Sequence, residues 1–348
     1  MADLNEVFTY DAAKKDDAPP PPPPKLDYPI PPRENMKLLL EHKKPLWVPN
    51  LLVDNNFCLA APADRERPPF PASGPDWFGT YWEMVEVVGG QMAPPDQRIC
   101  EDPRDWREKL VFPNLDDYDF SEGKEKMAEM FDPDKMTMYV IQNGMFERLL
   151  DIADTEEVFV WLATEPEGAI AYANAMADFK IKHVDKVIDE FGYVDFFALS
   201  DDWGTQKSPF ISPKMWEQIF YRPTKRIADH IHERGFYVNC HSCGKIDELV
   251  PFIATFAEMW EGQPMNDHVA LRKLLGDDKL AFSIGLDADK LSNPNTTEDD
   301  VIRMVRTAID THGENGGMVL LAFAPPGPLN DVLVREAFEY SRQKYAKN

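Results

Sequence analysis

His241 and Cys243, two residues apart, form the sharpest chemical feature of the sequence. His241 ends the apolar run 236–241 and Cys243 follows it, and at a strand end residues i and i+2 point the same way. An imidazole and a thiolate there converge on one point, an arrangement that a borderline-soft ion such as zinc accepts from N and S donors. Glu261, after the next apolar run, adds an expected oxygen ligand, and an open fourth position would make the ion a Lewis acid rather than a structural staple. The plainer alternative is a satisfied polar histidine beside a small packed thiol. Asp201 and Asp202 follow the run before His241 and are the catalytic candidates: they would orient a ligand, move a proton or hold the histidine, or else cap the helix that begins after Ser212. Trp77, Phe78 and Tyr81 offer flat surfaces for an aromatic guest, or plain core. Gln142 and Asn143, at the end of the run 136–142, and Phe323 in the last run join them as substrate-binding candidates.

Such groups need a scaffold that brings successive run ends together. From Met36 onward helical patterns alternate with short runs rich in β-branched and aromatic residues, near 46–53, 81–87, 136–142, 194–199, 236–241, 257–261, 280–285 and 317–323. That is the pattern of an α/β chain folded as a single (β/α)8 barrel of the TIM type, in which functional groups gather at the carboxyl ends of the strands. The barrel is expected over 34–348. Residues 1–33, with the run Pro19 to Pro24, are expected to form a proline-rich tail or arm. The proline-rich stretch 54–135 should decorate the barrel mouth. Thr164 and Glu167 read as a capping box for one helix, Ser212-Pro213 opens another, Pro223 kinks it and Gly235 ends it.

Composition bounds the function. With 61 acidic against 37 basic residues the formal net charge is −24, which repels nucleic acid and anionic membrane surfaces. Four scattered cysteines make no disulfide framework, and no signal peptide or membrane-spanning run is evident, so a cytoplasmic protein is expected. Cys58, Cys100 and Cys240 are read as inert.

The motifs Arg33-Glu34-Asn35, Pro45 to Pro49, Gly144 to Glu147, Ser200 to Gln206, Ile211-Ser212-Pro213, His241 to Gly244 and Ile284 to Asp287 together resemble the uroporphyrinogen decarboxylase superfamily. The resemblance implies the barrel, and one of two chemistries. The decarboxylases carry an arginine-rich motif near the N-terminus, and only Arg33 stands there in this chain. In the methyltransferase branch, His241 and Cys243 match the first two zinc ligands, and the third is a cysteine near the end of the last strand. Here that stretch, Val319 to Gly327, has none, so a harder, oxygen-containing site is expected, suited to an oxygen donor. The resemblance therefore implies an O-demethylating methyltransferase that passes the methyl group of a methoxylated aromatic compound to the cobalt of a separate corrinoid (cobalamin) protein. A methylcorrinoid:thiol methyltransferase, a decarboxylase and a catalytically silent binding homologue are the alternatives, and pairing into a homodimer is open.

Overall fold

The computed structural model describes residues 24–58, 63–85, 90–276, 278–322, 324–325 and 327–347. Most of the expected tail and Phe323 lie outside the described residues. The strands, in chain order, are β1 (Asn55–Cys58), β2 (Gly74–Pro75), β3 (Tyr81–Val85), β4 (Gly90–Met92), β5 (Met136–Ile141), β6 (Phe196–Ser200), β7 (Tyr237–Ser242), β8 (Met259–Gly262), β9 (Ala281–Gly285) and β10 (Met318–Leu321).

Seven of them form one curled parallel sheet in the order β1-β5-β6-β7-β8-β9-β10. Helices link the sheet strands from β5 onward: Pro166–Glu190 is the longest of those after β5, Arg222–Glu233 follows β6, His268–Leu275 follows β8, and Glu298–His312 follows β9. The six strands from β5 to β10 coincide with the last six expected runs. They were legible because parallel strands covered on both faces read as continuous apolar stretches.

The first two expected strands are corrected. The run 46–53 is not a strand: Asn50 alone bridges Leu320 of β10, a turn follows in which Asp54 accepts from Asn50 N at 2.9 Å, and only then does β1 lie beside β5. β1 thus lies beyond the expected run, in the stretch 54–135 expected to decorate the mouth, and among the described residues the seven strands form a curled sheet consistent with a TIM-like barrel that is not closed. The run 81–87 does hold a strand, β3, but it belongs to a separate antiparallel sheet of order β2-β3-β4 within the proline-rich insertion.

Alternation along the strands separates two cores. Met138, Phe196, Ala198, Met259, Ala281 and Val319 pack together inside the curl with Met36, Leu39 and Leu40 of the helix Pro32–Leu40. Tyr139, Phe197, Leu199, Cys240, Trp260 and Phe282 point the other way, into the larger core beneath the outer helices. Burying one such side chain stabilises the fold by about 1.5–3 kcal/mol, which is why the register is fixed: a one-residue slip would exchange the two faces.

Helix ends follow the sequence in part. Ser212 caps its helix, accepting from Met215 N at 3.2 Å. A π turn at Glu217–Tyr221 absorbs the break before Pro223, and Gly235 adopts φ +88°. The expected capping box at Thr164 is not formed. Asp154 caps the helix Thr155–Thr164, so Thr164 is that helix's last residue and its hydroxyl donates to Val160 O at 2.8 Å. The next helix begins at Pro166 with no side-chain cap. No helix among the described residues is long and apolar enough to cross a membrane.

Candidate metal centre

β6 and β7 pair in parallel with Ser200 opposite His241, so the residues just beyond β6 meet those ending β7. The two loops are laced together. Asp201 N donates to His241 O at 3.1 Å and Lys245 N to Thr205 O at 2.7 Å; Trp203 N donates to Ser242 Oγ at 3.1 Å and Cys243 N to Asp202 Oδ1 at 3.2 Å. Gly204 and Gly244 make the closest approach. A Cβ on Gly244, whose φ is +80°, would sit 2.1 Å from the Gly204 backbone, so the contact requires glycine on steric and conformational grounds.

This lacing brings one ligand atom each from Asp202, His241 and Cys243 within 4.8 Å of one another. His241 Nε2 lies 3.6 Å from Cys243 Sγ. Ligands bound to zinc at about 2.0 Å (N) and about 2.3 Å (S) in a tetrahedron stand roughly 3.5 Å apart, so the nitrogen–sulfur pair fits zinc, and the carboxylate supplies a third, hard donor. The grouping differs from the expected one. Glu261 is not in the cluster: its Oε1 lies 2.9 Å from His241 Nδ1, on the far side of the ring, while Asp202 occupies the place expected of it.

The electrostatics follow. Burial alone would lower the His241 pKa, but hydrogen bonds to Cys243 and Glu261 outweigh it and hold the imidazole well above its ordinary value. Burial would likewise raise the Glu261 carboxyl, and the histidine brings it below the usual range. The Cys243 thiol is pushed up, chiefly by burial, with Asp202 adding to the rise and His241 opposing it.

Asp201 is drawn elsewhere. Buried, it accepts from Phe146 N at 3.0 Å and Glu147 N at 2.8 Å, the first turn of the helix Met145–Ile152. That helix has Gly144 as its cap residue and no side-chain cap of its own. A Cβ on Gly144 would fall 2.1 Å from Asp201 Cγ. The carboxylate therefore stands in for a missing cap, and its burial pushes its pKa up to about 7.

Two of the three aromatics expected to bind a guest lie in the outer core. Trp77 and Phe78 are 7% and 5% exposed and pack in the outer core, with Trp77 edge-on to His183 at 5.0 Å and Phe78 edge-on to Phe179 at 5.1 Å. The cause is Asp76 beside them, which pairs with the buried Arg148 and accepts from Trp82 Nε1 at 2.9 Å, fastening the segment inward. Tyr81 is half-buried in β3, opposite Pro75. Gln142 is exposed and uses its carbonyl to accept from Lys180 Nζ at 2.5 Å. Asn143, buried at φ +46°, accepts from Arg67 and donates to Asp151 at 3.2 Å.

Residues not singled out in the sequence complete the picture. Asn239 lies one inward position below His241 on β7 and donates to Glu261 Oε2 at 3.4 Å; the period of two along 239–241–243 is a signal that could have found it. Gln263 accepts from Gly244 N at 2.8 Å. On the other arc of the curl, Phe57, Val140 and Leu321 are half-buried apolar members of the inner cluster.

Among solved structures, the intracellular xylanase TsXylA of Thermoanaerobacterium saccharolyticum JW/SL-YS485 shares 10% identity over 60% of this chain and 71% of its own, with a TM-score of 0.38. A chitinase of Chromobacterium violaceum ATCC 12472 shares 8% over 62% and 83%, with a TM-score of 0.33. Both likenesses are too slight to carry an argument. No curated protein matches the sequence at a significant level. The model of one protein family, Uroporphyrinogen decarboxylase (URO-D), matches residues 133–279. That stretch holds Asp202, His241, Cys243 and Glu261, and across it the chain is similar to this family, which supports its place in the uroporphyrinogen decarboxylase-like superfamily.

Proposed function

We propose that the chain is a corrinoid-dependent methyltransferase that removes the methyl group of a methoxylated aromatic compound, with zinc held by Asp202, His241 and Cys243 and the methyl group passed to the cobalt of a separate corrinoid protein. The observation that carries this reading is the convergence of one nitrogen, one sulfur and one carboxylate donor at the strand ends. Three protein ligands leave a position for substrate, as catalytic zinc sites do. Zinc bound there would supply Lewis acidity to an ether oxygen, whose departure as a phenoxide is otherwise opposed by a phenol pKa of about 10.

The chain's own residues supply the rest. Phe57, Val140 and Leu321 give the inner wall an apolar arc facing the polar one, suited to the body of an aromatic ring with its oxygen turned toward Asp202, His241 and Cys243. In such a transfer the methyl carbon would leave without its C–O bonding pair, which would stay on the aryl oxygen and take up one proton, and a reduced corrinoid would supply the electron pair of the new bond. The mixed N, S and O donors favour an oxygen leaving group over a thiol, since carboxylate is a harder ligand than a second thiolate. Decarboxylation of a polycarboxylate is disfavoured by the same groups: Asp202 and Glu261 place negative charge where a polyanion would have to sit, and Arg67 is already engaged by Asn143 and Glu147.

The test is zinc content by elemental mass spectrometry on anaerobically purified parent, His241→Ala, Cys243→Ala and Asp202→Ala, followed by methoxylated aromatics with a reduced corrinoid protein. About one zinc per parent chain, its loss in the variants, and release of a phenol only from the loaded parent are expected. A folded parent that takes up no zinc overturns the reading.

A further inference from the structure

We propose that Glu261, itself held by Asn239, is a positioning residue of the metal centre: it fixes the His241 ring so that Nδ1 carries the proton and Nε2 is the nitrogen left for the ion. The inference rests on the reading of Asp202, His241 and Cys243 as metal ligands and carries it one layer deeper into the curl.

Three observations support it. Register comes first: β7 and β8 pair His241 with Glu261 directly, so the two inward side chains are lateral neighbours. The second is the contact. Glu261 Oε1 lies 2.9 Å from Nδ1, and a carboxylate offers acceptors only. Nδ1 therefore donates to it, and Nε2, turned to Cys243 Sγ at 3.6 Å, is the nitrogen that an ion would take once its proton is displaced. The third is the tether on Glu261 itself. Its other oxygen accepts from Asn239 Nδ2 at 3.4 Å, and Asn239 is fully buried, so the carboxylate is braced from below.

An imidazole without such a partner offers either nitrogen and turns freely; with it, one tautomer and one orientation are selected and the ligating nitrogen becomes more basic. The carboxylate also adds negative charge beside Asp202 and a Cys243 thiolate, which favours a divalent ion over a monovalent one.

The experiment uses the full chain, as parent, Glu261→Gln, Glu261→Ala and Asn239→Ala. Zinc affinity is measured by competition with a chromophoric chelator at a temperature where circular dichroism shows every variant folded, and the cobalt(II)-substituted proteins are compared by absorption. Affinity should fall by roughly 10- to 100-fold in Glu261→Ala. It should fall less in the near-isosteric Glu261→Gln, which can still accept from Nδ1, and least in Asn239→Ala. The thiolate-to-cobalt band should persist in all of them, because Cys243 remains a ligand. A Glu261→Ala protein that binds zinc within twofold of the parent overturns this inference alone. A parent that binds neither metal overturns the metal reading and this inference with it.

Discussion

Replacing Asp201 by alanine separates two roles that adjacent carboxylates at a strand end are free to play. Its side chain accepts from two backbone N–H groups that open the helix Met145–Ile152, at 3.0 and 2.8 Å, and that helix has no other side-chain cap. Stranding a buried donor costs about 1–3 kcal/mol, so two strandings sum to about 2–6 kcal/mol. Alanine also removes the cost of burying a carboxyl whose pKa is pushed up to about 7, which brings the expected net loss to the lower part of that range, about 2–4 kcal/mol. Asparagine keeps one acceptor and should lose about half as much. Urea unfolding followed by circular dichroism reads the loss as a lower midpoint with an unchanged slope, and zinc content at low denaturant should match the parent. An Asp201→Ala protein that unfolds at the parent's midpoint, yet no longer transfers methyl groups, would refute the helix-anchor argument and return Asp201 to the chemistry.

Trp77→Ala should lower stability by about 3–5 kcal/mol, as removal of a buried aromatic does, and leave zinc uptake intact; unchanged stability with a raised KM would put Trp77 at the substrate instead. Gly244→Ala introduces a contact of 2.1 Å with the Gly204 backbone at φ +80°, and should lower the melting temperature and weaken zinc binding together, since the same two loops carry Asp202 and Cys243. The pKa of His232 is raised by its hydrogen bond to Glu258 despite burial. The folded state therefore binds that proton more tightly than the unfolded chain, so this stabilisation is complete below the ordinary histidine pKa of about 6.5 and is lost as pH rises through the raised value. In His232→Gln the fall in melting temperature across that window should be shallower than in the parent, and an identical pH profile would show that the pair contributes nothing.

How far the sequence revealed the site depended on whether a relation lay within one strand or between two. His241 and Cys243 are two residues apart, and period-two geometry alone makes them converge. Choosing Asp202 over Glu261 as the third donor needed the lateral register of β6, β7 and β8, to which no residue spacing speaks. The same limit explains the aromatic segment: nothing local in Asp76-Trp77-Phe78 announces that Arg148, 72 residues away, will draw it into the core. The strands from β5 onward were plain because each buries an apolar face beneath the outer helices, whereas at the first position only Asn50 of the expected run bridges a neighbour, and the strand itself, β1, begins after the turn at Asp54. Thr164 had the right chemistry for a cap, but Asp154 had already opened a helix that runs through it.

The donors and their brace all issue from three sequential strands, β6 to β8, within a single stretch from Asp202 to Glu261, whereas the apolar arc is contributed by β1, β5 and β10. On the proposed reading, reactivity and guest selection are thus written on separate tracts of the gene. Insertions in the loops that follow β1 or β10 could remould the cavity without shifting the register that sets the donor spacing, so a lineage built on this plan can explore new guests while inheriting its reactive centre whole.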